Sequence, residues 1–338
     1  MNLQEEKYSK YALVQEMLET VKVAGSFNAS QTKDITDKIK NAGKLLLTGE
    51  GSSRIFPAKN AIRKNLSWGS ALNIFTDGSR QASQYDLKEF AVFCASNSGR
   101  TKEVVLLAKK LAEINNNNRF ALTANNNTLL EEVCTEIFVL TCGWEQAVAA
   151  TKSVVEQALF YESILWHLYN KPSDKMLNNL DKKIESALTM QIDHEIIKKA
   201  VTAPTIYFAG YNDGVAEELT LKTNEITRKK SDFLEGTYAV HGIEEVMDKN
   251  DIVFVVDPIE AEIEKFQEVL VKGVGLTVVA ISTKQTPFPT ILIPDASEMN
   301  PYVYLCAGWN ILVEIGLASG INLDKPERAR KVGNEFIG

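Results

Sequence analysis

The chain has 338 residues, of which 45% are hydrophobic and 24% charged, the balance of a folded globular protein rather than a disordered or fibrous one. A formal net charge of −7 argues against a general nucleic-acid binder and leaves room for a local cationic pocket. No apolar run reaches the length of a membrane helix, and Met1 to Lys7 has neither the basic nor the apolar region of a signal peptide.

The expected setting is therefore cytoplasmic, with no membrane and no nucleic-acid partner. The four cysteines, Cys94, Cys134, Cys142 and Cys306, show no CxxC spacing and are expected as free thiols. The three histidines, His167, His194 and His241, form no zinc pattern, so no metal is expected.

In chain order, Glu6 to Leu18 has the spacing of an amphipathic helix, and a second helix is predicted over Gln31 to Asn41. Lys44-Leu45-Leu46-Leu47-Thr48 reads as a short buried strand that breaks at Gly49-Glu50-Gly51-Ser52-Ser53-Arg54, with a helix over Ala58 to Asn65. Strand signals recur at Leu72 to Phe75, Phe90 to Ala95, Phe120 to Ala124 and Ile137 to Thr141, separated by helical segments and Asn-rich turns. Strands alternating with helices predict a mainly parallel sheet covered on both faces.

A long helix is predicted from Ala149 to Tyr169, and after Pro172 a connecting helix carries Leu177, Leu180, Ile184 and Leu188. The pattern then restarts. Thr205 to Ala209 answers the first strand, Asp251 to Val256 answers Phe90 to Ala95, and Leu276 to Ile281 answers Phe120 to Ala124. The offset is about 160 residues each time, the mark of two copies of one α/β unit.

Five stretches could carry chemistry. Ser96-Asn97-Ser98-Gly99-Arg100-Thr101 lies between a strand and a predicted helix. Unpaired helix amides, the helix dipole and three hydroxyls there could cradle an anion. Ser and Thr are equally common as plain helix caps. The second copy carries Asp257-Pro258-Ile259-Glu260 at this place, so an anion site of this kind occurs once per chain.

Gly49 to Arg54 is an incomplete dinucleotide fingerprint without its third Gly, and Asp77 sits where a ribose-binding acid could sit. The bland reading is a turn that needs Gly for its dihedrals. Trp144 to Ser153 puts small residues, Thr151 and Lys152 at a helix start, suited to a phosphosugar or to a cap at Thr151 or Ser153. Glu218, Lys222 and Glu225 share one helix face, as a solvent-facing ion pair or as a carboxylate steadied by a cation. His241, before Gly242 in a predicted loop, is placed for acid–base work, although surface histidines without function are commoner.

Together these stretches resemble the sugar isomerase (SIS) domain family, specifically its tandem members: the isomerase half of glucosamine-6-phosphate synthase and stand-alone phosphosugar isomerases, deaminases and deglycases. The resemblance runs from about residue 36 onward, and rests on the order and spacing of several short motifs. They are Gly51-Ser52-Ser53, Ser96 to Thr101 (S-x-S-G-x-T), Glu145 to Lys152 (E-x-x-V-A-x-T-K), Leu221 to Ile226, His241-Gly242 and Asp324 to Lys331 (D-x-P-x-x-L-x-K).

The resemblance implies two flavodoxin-like three-layer α/β/α domains, over residues 36–172 and 195–323. A helical extension (1–35) precedes them, a connecting helix (173–194) joins them, and a tail (324–338) reaches the active site. It implies that Gly51, Ser52, Ser53, Ser96, Asn97, Ser98, Gly99 and Thr101 surround the sugar phosphate. Val148, Ala149, Ala150 and Lys152 would lie along the sugar. Glu225 matches the base that moves a proton between C1 and C2, with Glu218 and Lys222 as its polar support. His241 matches a ring-opening histidine supplied by the neighbouring subunit of a homodimer, and Lys331 a lysine near the sugar carbonyl.

The implied activity is aldose–ketose isomerisation of a hexose or hexosamine 6-phosphate through an enediol, with deamination as a variant and no cofactor. A non-catalytic phosphosugar sensor and a nicotinamide-dependent oxidoreductase are the alternatives. Tyr238 stands where the family commonly has Glu, Ile243 where it has Pro, and Ala150 where Ser is frequent. With no glutaminase segment and no Cys at position 2, synthesis of an amino sugar from glutamine is not expected.

Overall fold

Runs such as Leu45-Leu46-Leu47 and Ala91 to Ala95 are apolar on both faces, and each forms a strand buried on both sides, as parallel sheets require. The computed structural model describes residues 1–331 and 333–337, in two units. The first unit comprises Lys22–Glu145, Ala150–Asn178 and Ala329–Gly338. The second comprises Met1–Val21, Gln146–Ala149 and Asn179–Arg328.

The first unit contains β1 (Lys44–Thr48), β2 (Asn73–Phe75), β3 (Ala91–Ala95), β4 (Arg119–Thr123) and β5 (Glu136–Val139). They form a five-stranded parallel sheet in the order β2-β1-β3-β4-β5. The period-two alternation along β3 splits its side chains between two layers. Val92 and Cys94 pack with Val104, Val105, Ala108 and Leu111 of the helix Lys102–Glu113. Phe93 points the other way, with its ring centroid 5.6 Å from Phe160 and 5.3 Å from Tyr161 of the helix Lys152–Leu168.

The second unit contains β6 (Thr205–Gly210), β7 (Lys230–Glu235), β8 (Ile252–Val256), β9 (Thr277–Ser282) and β10 (Thr290–Leu292). Its five-stranded parallel sheet has the order β10-β9-β8-β6-β7, so both sheets, numbered from their own first strand, read 2-1-3-4-5. Val253 and Val255 face one core layer, while Phe254 stacks on Phe208 at 5.4 Å on the other side. Behind this sheet runs the helix Asn300–Ala318. A Cβ at its Gly308 would lie 2.3 Å from Leu219, so only glycine lets the helix Val215–Lys222 pack this closely.

Three expectations are corrected. The helix over Glu6 to Leu18 is two, Glu6–Ser9 and Ala12–Ser26, with the amides of Ala12 and Leu13 donating to the Asp324 carboxylate at 2.8 and 2.9 Å. The Asp324 motif thus caps a helix from a distance. The second concerns apolar length: Ser297–Ala318 is long and apolar enough to cross a membrane, yet 83% of its apolar window is buried within the protein, as in a core helix. Third, the helix carrying Glu218 and Glu225 is not continuous. It is α-helical to Lys222 and becomes a π-turn over Thr223–Thr227.

Candidate functional site

In a parallel sheet ordered 2-1-3-4-5, successive connections leave in opposite directions from the two strands where the order reverses. The crevice opens there, at the strands' carboxyl ends. In the first unit this switch point lies between β1 and β3, which pair from Leu45↔Ala91 to Thr48↔Cys94. The loops leaving these two strands are Gly49 to Arg54 and Ser96 to Thr101, the hydroxyl-bearing loops singled out by sequence.

The second loop is not an ordinary helix cap. Thr101 occupies the N-cap of the helix Lys102–Glu113 but makes no side-chain cap bond. Its hydroxyl pairs instead with that of buried Ser96 at 2.8 Å, and the helix's first amide, on Lys102, donates to the Asn334 carbonyl at 2.9 Å. One hydroxyl of the pair donates to the other, which keeps its own O–H to give. Ser98 Oγ accepts from the Arg100 amide at 3.2 Å and likewise retains its donor. Among the described residues, the amides of Ser98 and Thr101 donate to no hydrogen-bond acceptor.

Gly99 has φ +63°, and a Cβ there would sit 2.3 Å from Thr128, so glycine is required for the loop to close. The loop therefore presents several N–H and O–H donors with no acceptor of its own, an arrangement that favours an anion.

On the facing loop, Gly51–Ser53 forms a 3₁₀ turn with Ser52 buried, and the Ser53 carbonyl accepts from Gln157 Nε2 at 2.6 Å. Glu50 accepts from the Ser79 amide at 2.9 Å, and burial pushes its carboxyl above the usual carboxylate range. Asp77, the candidate ribose acid, is engaged with the Tyr85 hydroxyl at 2.8 Å and Gln81 Nε2 at 3.2 Å.

The segment before the helix Lys152–Leu168 is likewise no simple cap. Thr151 at the N-cap makes no side-chain cap bond; its hydroxyl goes to buried Glu145 at 3.1 Å. Lys152 is buried at the start of the helix and Ala150 half-buried beside it. Lys331 lies in the same unit, its Nζ 6.0 Å from the Trp144 ring centroid. A cavity of about 360 Å³ is lined by Ser98, Arg100, Asn125, Trp144 and Glu335 among others.

The C-terminal segment, expected from the resemblance as a tail, also lies against this loop. Besides the Asn334 contact, the Phe336 amide donates to the Arg100 carbonyl at 2.9 Å, and Glu335 lies 3.4 Å from the Arg100 guanidinium. No hydropathy pattern in residues 333–337 announces this pairing.

The second unit holds the other candidates. Lys222, fully buried, places its Nζ 3.3 Å from Glu218 Oε1 and 2.8 Å from Glu225 Oε2. Burial alone would lower its pKa; the Glu225 and Glu218 carboxylates outweigh burial and raise it, so the ammonium stays charged. Glu218 is fully buried, whereas the Glu225 side chain is 24% exposed. The solvent-face reading of this cluster therefore fails, and the π-turn carrying Glu225 is a distortion that recurs at functional sites.

His241 is exposed between two 3₁₀ turns, with Gly242 at φ 107° after it. Ala149 is buried and Val148 half-buried, in a segment whose Gln146 and Ala147 amides donate to the Glu16 carboxylate. At the second sheet's own switch point, Asp257 accepts from the Tyr304 hydroxyl at 3.0 Å. That loop therefore offers a carboxylate where the first sheet offers hydroxyls. A larger cavity of about 780 Å³ in this unit, beside Tyr8, His194 and Glu314, contains none of the candidate substrate-binding or catalytic residues. Among the described residues, no cluster of three or more His, Cys, Asp or Glu side chains could hold a metal ion.

The fold and these loops define a doubly wound α/β protein with an anion-receptive switch point in its first sheet. No family model matches the chain, and no curated protein matches it in sequence. Its structural neighbours include proteins named as phosphosugar isomerases, an amino-sugar-phosphate deaminase, an aminotransferase domain and a sugar binding protein. Tagatose-6-phosphate ketose/aldose isomerase from Escherichia coli superposes with a TM-score of 0.77 at 16% identity, over 96% of this chain and 99% of that one. Glucosamine-6-phosphate deaminase from Thermotoga maritima gives 0.73 at 19% identity, over 97% and 99%. The C-terminal domain of glucosamine-fructose-6-phosphate aminotransferase from Francisella tularensis gives 0.76 at 18%, over 95% and 100%. These likenesses establish the fold, and they fall on the same group of proteins as the motif resemblance.

Proposed function

We propose that the chain is a phosphosugar isomerase that interconverts an aldose and a ketose 6-phosphate through an enediol. The observation that carries the reading is the pair of hydroxyl-bearing loops flanking the β1/β3 switch point, with donors at Ser96, Ser98 and Thr101 left to be answered by an anion. A fold shared with proteins named for tagatose-6-phosphate, glucosamine-6-phosphate and glucosamine-fructose-6-phosphate supports a phosphorylated hexose or hexosamine as that anion.

In this reading Gly51, Ser52 and Ser53, with Ser96, Asn97, Ser98, Gly99 and Thr101, hold the phosphate, and Val148, Ala149, Ala150 and Lys152 follow the sugar. Glu225 relays the proton between C1 and C2. Glu218 and Lys222 fix its carboxylate, consistent with the 2.8 Å pair to Lys222. His241 opens the ring in the site of a second copy of the chain, and Lys331 polarises the carbonyl. Holding the substrate by its phosphate lets one carboxylate carry the proton over a short distance.

The shared 2-1-3-4-5 strand order supports the view that the two units are copies of one SIS-type unit, only the first of which keeps a phosphate loop. A homodimer in the cytoplasm is part of the proposal. The test is incubation with hexose and hexosamine 6-phosphates, followed by NMR and an ammonia assay. Isomer formation supports isomerisation, and ammonia release moves the assignment to a deaminase. Binding without turnover replaces both with a sensor.

A further inference from the structure

Glu145 belongs to none of the roles above, yet it joins two of the candidate segments. It is fully buried in the first unit. Its Oε1 accepts from the Thr151 amide at 2.7 Å and the Thr151 hydroxyl at 3.1 Å. Its Oε2 accepts from Asn97 Nδ2 at 2.9 Å and the Ser153 hydroxyl at 2.5 Å. A buried carboxylate is tolerated when donors surround it, and charge-assisted bonds of this kind hold geometry firmly.

Asn97 sits between Ser96 and Ser98, the residues that bear the loop's hydroxyls. Its Nδ2 also reaches Ser153 Oγ at 2.8 Å, so both of its N–H donors face acceptors and the carboxamide cannot turn without losing both. The backbone is pinned as well, since the Asn97 carbonyl accepts from the Ala124 amide at 3.0 Å and Asn125 Nδ2 at 2.8 Å. Asn97 Oδ1 is buried with no hydrogen-bond partner among the described residues.

We propose that Glu145 is the positioning residue of the phosphate loop. Acting through Asn97, it holds the loop in its anion-receptive form before substrate arrives, and through Thr151 and Ser153 it locks the Ala150 to Lys152 segment to the same frame. Ordering the loop in advance removes an entropic cost from binding. The proposal rests on the phosphosugar reading of this site.

The test compares wild type, E145A, E145Q and N97A. Calorimetry with fructose 6-phosphate and with inorganic phosphate measures affinity, and hydrogen exchange of the 96–101 amides in the ligand-free protein measures loop order. E145A is expected to weaken both ligands by roughly tenfold to a hundredfold and to speed exchange in 96–101 selectively. E145Q keeps an oxygen for Thr151 and can offer its NH₂ to a turned Asn97 carboxamide, so its affinity returns to within about threefold of wild type. N97A cuts the same link from the loop side, and carries the test if E145A does not fold.

Folded variants that bind both ligands as wild type does, or whose 96–101 exchange is unchanged, overturn the role of Glu145 while leaving the phosphosugar reading intact. Failure of wild type to bind either ligand refutes that reading first, and the role of Glu145 with it.

Discussion

Replacing Lys222 by Met removes the ammonium that lies between two carboxylates while keeping most of the side-chain volume. Glu218, fully buried, would lose the cation 3.3 Å away, and Glu225 its 2.8 Å partner. Breaking a buried ion pair from one side strands the other charge and costs about 3–5 kcal/mol. Most of that cost falls on Glu218, because Glu225 at 24% exposure can recover some solvation. The double variant E218Q/K222M removes both charges and is expected to recover most of the loss.

Urea denaturation followed by tryptophan fluorescence measures both variants, with the slope required to stay constant so that midpoints compare. The pH dependence has a definite sign. The pKa of Lys222 is raised in the folded protein, so its stabilisation is complete below the ordinary lysine range and is lost only as pH rises through the elevated value. Wild-type stability should therefore show no loss from this group between neutrality and mildly alkaline pH. A K222M protein within about 1 kcal/mol of wild type, or a double variant no better than the single, would refute the view that this cluster is a buried charge network.

Three further outcomes are expected. S98A should weaken phosphosugar binding about tenfold by calorimetry, since it removes a hydroxyl donor from the anion; unchanged affinity would remove Ser98 from the cradle. G99A should cost about 2 kcal/mol or more in urea unfolding, because φ +63° is unfavourable for alanine and Thr128 leaves its Cβ no room. A neutral G99A would mean that the loop takes another form. D324A removes the carboxylate that accepts the Ala12 and Leu13 amides, and a loss of about 1–2 kcal/mol is expected, read as a lower thermal midpoint.

The two sheets were legible because their central strands are apolar on both faces. Phe90 to Ala95 and Asp251 to Val256 announce buried parallel strands without help from any neighbour. β7, Lys-Ser-Asp-Phe-Leu-Glu, carries no such run and gains its strand character from pairing with β6 along its whole length. The hydroxyls of Ser96 and Thr101 were visible as candidates, but their bond to each other and the lack of a side-chain cap bond at Thr101 depend on the fold of the loop.

Glu145 shows the same limit more sharply. Its acidic side chain was readable as part of a motif, while its role depends on Asn97, 48 residues earlier, arriving from another strand end. The face shared by Glu218, Lys222 and Glu225 followed from helical periodicity. Burial of the cluster and the π-turn that carries Glu225 arise from tertiary packing, such as the close approach of Leu219 to Gly308, and lie beyond any local pattern.

The proposed function requires the chain to move a proton on a bound phosphosugar, with Glu225 as the carrier. The direct measurement is incubation with fructose 6-phosphate and with glucosamine 6-phosphate in D₂O, with ¹H NMR following the C1 and C2 positions for wild type and E225Q. Wild type is expected to incorporate solvent deuterium at these carbons, and E225Q to lose that exchange while still binding the sugar phosphate. Binding by wild type with no exchange, or exchange undiminished in E225Q, would contradict it.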